Sequence, residues 1–307
     1  MKNASECLCS VAISTMGGVE LALYGFRSWL LQDIDEPYEV IVNLFNDAAP
    51  RFEALREGAN PHCRVFIRSH PAPAFYNISA SNNLGIHFAR GRYVLVVNAD
   101  IIYRADLIRR SIADLDRRQV AYALASRVNL TEEQTRSLQP PAAYTRENGF
   151  ADLAKLPHEP SARWHFLSPW IIRRDIAHAV GGWDPRVLMA EDMDISARVM
   201  HYLRRTGQQT TLYHLPEADG YHLWHTSTGL FDAYTQSKAI FGPRNDRLSA
   251  DPGSTEDVLP SDLDDGERIL SDIRQTQPPP LRKHSAGSLV GVARRRFNKA
   301  WQALRRG

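Results

Sequence analysis

Apolar residues in the first third of the chain fall into short blocks of two kinds. Leu8–Ser14, Tyr38–Phe45, Arg64–Ile67 and Arg92–Val97 are compact runs rich in Val and Ile, bounded by turn residues, and predict strands. Between them, Val19–Leu31 spaces Leu23, Phe26 and Leu30 at helical intervals. Arg51–Gly58 predicts a short helix, and Ser79–Arg90 a longer one that Gly91 stops. Tyr93–Val97 is apolar at every position, the pattern of a parallel strand covered on both faces. Alternating strands and helices predict an α/β, doubly wound sheet. Ligands of such sheets bind beyond the C-terminal ends of the strands, which points to Ser14-Thr15, Asn46-Asp47 and Asn98-Ala99-Asp100.

The second half is less regular. A helix over 105–118 and a strand over Val120–Arg127 continue the alternation, and residues 129–163, polar and Pro-rich, predict an irregular excursion. His165–Ile172 returns to strand character. Glu191–Arg205 is a strong helix pattern, with Ile195, Val199 and Leu203 on one face and an Asp194–Arg198 pair at i,i+4. Thr210–Leu215 and Ala218–Trp224 predict two late strands, Leu230–Phe241 a helix, and 265–275 a short helix inside an otherwise aperiodic acidic stretch.

Composition narrows the classes. With 43% hydrophobic and 23% charged residues in 307, the chain has ordinary globular balance. No apolar run approaches the roughly 18 residues of a membrane helix, and the first residues lack the apolar core of a signal peptide. Cys7, Cys9 and Cys63 are too few and too oddly spaced for a disulfide framework or a zinc site, which fits a reducing, cytoplasmic setting. The net charge of +2 hides a segregation: residues 251–272 hold eight acids, and residues 281–307 hold eight Lys or Arg and no acid. Without that tail the body is acidic, so no nucleic-acid partner is expected. The Gly-rich dinucleotide fingerprint, the phosphate-loop motif and the Gly-x-Ser-x-Gly elbow are all absent.

Three segments carry candidate chemistry. Ser79-Ala80-Ser81-Asn82-Asn83-Leu84-Gly85 precedes Gly91-Arg92-Tyr93 and the strand that ends at Asn98-Ala99-Asp100. Gly181-Gly182-Trp183-Asp184 precedes Glu191-Asp192. Tyr221-His222-Leu223-Trp224-His225 follows. In these motifs, over about residues 8–242, the chain resembles the family 2 glycosyltransferases and their relatives of GT-A fold. The resemblance implies a Rossmann-like, mostly parallel sheet flanked by helices, a nucleotide-sugar donor and a divalent cation, Mn²⁺ or Mg²⁺. It places the cation at Asp100, just past a buried strand, where a hard metal would meet the charge growing on a diphosphate. The plain alternative for Asp100 is a helix N-cap. Where relatives carry a first acid, this chain has Asn98, which offers a hydrogen bond to a ribose but no charge.

The resemblance further implies a remote imidazole ligand, His222 or His225. Strand alternation predicts that only one of them faces the site, and His225, which opens a Thr/Ser/Gly loop, is the expected one. Asp192 would be the general base of an inverting transfer, with Glu191 positioning or capping, and the helix N-terminus favours an ionised carboxylate there. Asn83, Ala99, Gly182 and Trp183 join Ser14 and Thr15 in the expected nucleotide-sugar site, Trp183 as an apolar wall for a sugar face. Asn46 or Asp47 would read the base. A UDP-sugar is the implied donor, with GDP- and dTDP-sugars as alternatives. The acceptor is a hydroxyl of a glycan, a lipid-linked sugar or another molecule.

Two other outcomes stay in view: a retaining galactosyl- or N-acetylgalactosaminyl-type transferase, and a catalytically degenerate carbohydrate-binding scaffold. The expected organisation is a transferase domain over 1–242, split near 127, an acidic and Pro-rich extension over 243–280, and a basic helix over 281–307. In that last segment Leu289, Ala293, Phe297, Ala300 and Leu304 share one face among Arg and Lys, a pattern of contact with a membrane surface. The expected location is therefore cytoplasmic, peripheral at the inner membrane face.

Overall fold

The computed structural model describes residues 7–118, 122–150, 153, 163–164, 170–208, 213–225, 231–259 and 262–277. The basic segment 281–307 and residues 226–230 lie outside them. The strands are β1 (Cys9–Thr15), β2 (Tyr38–Leu44), β3 (Cys63–Ser69), β4 (Tyr93–Val97), β5 (Ile101–Tyr103), β6 (Tyr122–Asn129), β7 (Arg163–Trp164), β8 (Trp170–Arg173) and β9 (Tyr213–His222). They form one sheet in the order β3-β2-β1-β4-β8-β6-β9-β5, with β7 against β6. β3, β2, β1 and β4 run parallel, with Cys9 opposite both Tyr38 and Tyr93. The far half is mixed: β8 is antiparallel to β4 and β6, β9 is parallel to β6, and β5 closes antiparallel onto β9.

Helices α1 (Val19–Leu30), α2 (Ala49–Glu53), α3 (Ile78–Phe88), α4 (Leu107–Arg118), α5 (Glu132–Arg136), α6 (Arg174–Ala179), α7 (Glu191–Arg205), α8 (Phe231–Ala250) and α9 (Gly266–Gln275) cover the sheet. The two-residue alternation of β1 sorts the core. Val11 and Ile13 meet Phe26, Trp29 and Leu30 of α1 on one face. Ala12 meets Ile86 of α3 on the other, where Ile195, Val199 and Leu203 of α7 also pack. This is the α/β architecture expected, with both faces of β1, β2 and β4 buried and β3 at the partly exposed edge.

The departures have local causes. α2 starts at Ala49 rather than Arg51 because Pro50, which has no N–H to donate, is tolerated in a first helical turn. The two late strands are one, β9, whose register against β6 shifts near Ser126. α8 runs through Pro243 to Ala250, so the domain boundary expected at 242 falls inside a helix. Part of the excursion is ordered by Arg27, which is 4% exposed. Its guanidinium donates to Tyr144 O at 2.9 and 2.7 Å and to Leu55 O and Glu57 O at 2.6 Å each.

A buried ionic lattice joins α7 and α8. Asp194 accepts from Arg198 Nε at 3.0 Å, as the i,i+4 spacing predicts, and also from Arg244 of α8. Arg198, 0% exposed, donates further to Val180 O at 2.9 Å and Gly182 O at 2.5 Å. Arg244 reaches Asp184 at 2.8 Å, which Arg186 also holds. Removing one member of such a lattice leaves uncompensated buried charge. Asp194→Ala is expected to lower the unfolding free energy by about 3–5 kcal/mol, read as a fall in the urea midpoint with little change in slope.

Candidate active site

β4 ends at Val97, and Asn98-Ala99-Asp100 turn the chain at once into β5. That turn can lie against α1 because position 25 is glycine: a Cβ there would land on the Ala99 carbonyl. Ile101 pairs with His222 across β5 and β9, and Leu223 N donates to Asp100 O at 3.0 Å. The histidine segment is also gripped from the excursion, by Leu130 N on His222 O at 2.9 Å and by Thr135 Oγ1 accepting from Trp224 N at 2.9 Å.

Both imidazoles converge on the carboxylate. His222 Nε2 lies 3.3 Å from Asp100 Oδ2, and His225 Nε2 lies 3.0 Å from the same oxygen. The expectation that only one histidine could face the site is thus corrected. Alternation holds only while the chain is extended, and β9 ends at His222, so His225 is free to fold back. One potential ligand atom from each residue lies within 4.8 Å of the others. Burial works to raise the Asp100 pKa, but hydrogen bonds with the two imidazoles outweigh it and hold the carboxyl well below the usual range. Burial pushes His222 down against the pull of Asp100, so its imidazole stays neutral at neutral pH. An ionised carboxylate oxygen with two imidazole nitrogens is a donor set that could hold a divalent cation.

Glu191 and Asp192 open α7, half-buried. Burial and the neighbouring Asp192 charge push Glu191 up to about 8. Burial also raises Asp192, opposed by the Met193 N–H, which donates to Asp192 Oδ1 at 2.8 Å, and by the positive charge of Arg127. Arg127, on β6, feels Asp100 as well as Asp192, and Tyr76 feels both Glu191 and Asp100. These two residues tie the acid pair electrostatically to the Asp100 cluster. Neither was singled out from the sequence.

The remaining expected residues divide. Asn98 and Ala99 are half-buried at the turn into β5. Ser14 Oγ donates to Ser81 O at 3.2 Å and ties β1 to α3, while Thr15 Oγ1 donates to Gly17 O at 2.5 Å and shapes the turn after β1. Asn46 is occupied in the same way: Nδ2 donates to Met16 O at 2.9 Å, and Oδ1 accepts from Ala48 N at 2.9 Å. Asp47 beside it is exposed. Below them Asn43, fully buried, faces His70 Nε2 with Oδ1 at 3.3 Å, while its Nδ2 has no hydrogen-bond partner.

Two assignments are overturned. Trp183 is 2% exposed and packs in the core with Ile195 and Val199, so its ring is no wall for a sugar. Asn83, also 2% exposed, spends its amide on the backbone of Trp183, accepting from its N–H at 2.7 Å and donating to its carbonyl at 2.8 Å. It is the clamp of the loop rather than a ligand contact. Gly182 is required there for two reasons: its φ is +66°, and a Cβ would strike the Asn83 side chain. The exposed aromatic next to the site is Trp224, between the two histidines.

The fold is the mixed α/β, GT-A-type fold of the solved structures whose backbone it matches. The backbone is similar to TarS of S. aureus. Residues 1–349 of that protein with UDP-GlcNAc superpose with a TM-score of 0.54 and 14% identity, over 87% of this chain and 71% of that one. The same fragment with UDP gives 0.53 and 15%, over 87% and 70%. The longer TarS structure gives 0.53 and 14%, over 79% of this chain and 42% of that one. No family model and no curated protein matches the sequence.

Proposed function

We propose that this protein is a nucleotide-sugar-dependent glycosyltransferase that inverts configuration, with a UDP-sugar as first-choice donor. The observation that carries the reading is the convergence of Asp100, His222 and His225 just beyond β4, together with the Glu191–Asp192 pair at the start of α7 and an Arg127 that feels both Asp100 and Asp192. The UDP and UDP-GlcNAc bound by TarS are consistent with that donor class. Asp100, His222 and His225 would hold a divalent cation, which supplies positive charge beside the donor diphosphate.

In this reading Asp192 accepts the proton of the acceptor hydroxyl while that oxygen forms its bond to the anomeric carbon. The bond from that carbon to the diphosphate oxygen breaks on the opposite face, and its electron pair leaves with the nucleotide. Arg127 supplies a positive charge that acts on both Asp100 and Asp192. Glu191, largely protonated at neutral pH, spares Asp192 a second adjacent negative charge.

The test is thermal unfolding with UDP, GDP, CDP and dTDP, each with and without Mn²⁺. A ligand that binds the native state raises the midpoint by mass action, by about 2.7 kcal/mol at a hundredfold excess over Kd. A Mn²⁺-dependent rise of several degrees with one nucleotide is the expected outcome. A folded protein that shows no rise with any of them refutes the proposal.

A further inference from the structure

The helix that carries the acid pair lacks an ordinary start. No side chain caps α7, and the residue before Glu191 is Ala190 with φ 59° and ψ 30°. Among the described residues it is the single non-glycine with positive φ. A left-handed alanine is strained and persists where the surroundings over-determine it. On the helix side, Met193 N and Asp194 N both donate to Ala190 O, at 3.1 and 3.3 Å. On the loop side the constraint comes from far along the chain. Ser237 of α8 is 0% exposed, and its Oγ accepts from Leu188 N at 2.9 Å and from Met189 N at 3.0 Å.

Two consecutive amides are therefore tied to one hydroxyl immediately before the left-handed turn. Two turns further along α8, Arg244 grips Asp184 of the preceding loop and Asp194 inside α7. The same helix thus holds the approach to α7 and α7 itself. We propose that Ser237 is a positioning residue: by fixing Leu188 and Met189 it imposes the Ala190 turn that aims Asp192 at the acceptor. This rests on the reading of Asp192 as a transferase base. It assigns to α8, beyond the recognisable motifs, control of how accurately that base is placed.

The test uses the full chain with Ser237→Ala and Ser237→Thr. Nucleotide release from UDP-GlcNAc, UDP-glucose, GDP-mannose and dTDP-glucose with Mn²⁺ is followed beside hydrogen exchange of residues 187–195. Misplacement of a catalytic group by an ångström is worth about a hundredfold in rate. Ser237→Ala is expected to lose about that much in kcat, to keep its KM and its nucleotide-dependent thermal shift, and to exchange faster over 187–195. Ser237→Thr, which keeps the hydroxyl, is expected to recover most of the rate. A kcat for Ser237→Ala within about twofold of the wild type overturns the proposal. So does a parallel loss in kcat and KM in both variants, the sign of general packing damage. If the wild type neither releases nucleotide nor shows a shift, the transferase reading fails on its own account. The exchange data then decide the clamp: faster exchange in Ser237→Ala sustains it, and unchanged exchange removes it.

Discussion

Asp100→Asn is expected to abolish the Mn²⁺-dependent part of nucleotide binding and to slow turnover by about a thousandfold, on the order of 4 kcal/mol of transition-state stabilisation. The substitution keeps the size of the side chain and an oxygen for the imidazoles, but removes the one formal negative charge at the end of β4. Asn98 supplies none in compensation. Because Asp100 is held ionised by His222 and His225, the wild-type site offers its full charge across the working pH range. Titration calorimetry with Mn²⁺ in the presence of the nucleotide checks the binding half of this result, and nucleotide release checks the rate. Equal Mn²⁺ dependence in the wild type and the variant would place the cation elsewhere. His222→Ala and His225→Ala remove imidazole nitrogens from the same cluster but leave its carboxylate, so each should weaken the metal less than the loss of the carboxylate.

The second large effect is that of Asp192→Asn. A positioned general base contributes about a hundredfold to ten-thousandfold, so a fall of about a thousandfold in kcat is expected, with the nucleotide and Mn²⁺ thermal shift retained. That combination separates a lost base from a lost donor site. The pH profile provides a second signature. Burial raises the pKa of both carboxyls, while Arg127 and the Met193 N–H favour the Asp192 anion over that of Glu191. The pair titrates as a unit, and Asp192 gives up its proton first. The rate should therefore climb as pH rises through a range above that of an ordinary aspartate. The working form, Asp192 ionised beside protonated Glu191, persists until Glu191 ionises near 8. Asp192→Asn should flatten the acid limb. If the limb survives, Asp192 is not the base.

Parts of the site were legible because they follow from local pattern. Asp100 stands immediately after an all-apolar strand, and the topology of parallel sheets puts such positions at the ligand edge. Glu191–Asp192 stand at the start of a periodic helix, and the Asp194–Arg198 pair is the i,i+4 geometry of that helix. Motif order located Asn83 and Trp183 on the right loop and helix, but said nothing about where their side chains point. Both turned inward, because the left-handed Gly182 brings the Trp183 backbone onto the Asn83 amide and seats the indole in the core. The two histidines erred in the opposite direction: a two-residue period was extended past the last extended residue of β9.

By itself, then, the sequence determined the run of strands and helices through β4, the helix that carries the acid pair, and the carboxylate at the strand end. Each depends on backbone geometry that repeats over a few residues. The tertiary structure alone decided that His222 and His225 share one oxygen of Asp100, that Arg127 links the two acidic centres, and that Ser237 and Arg244 lock the approach to α7. Those arrangements join residues far apart along the chain. Their side-chain directions are set by close packing and by the need to pair every buried charge and amide, and no periodicity in the sequence encodes either.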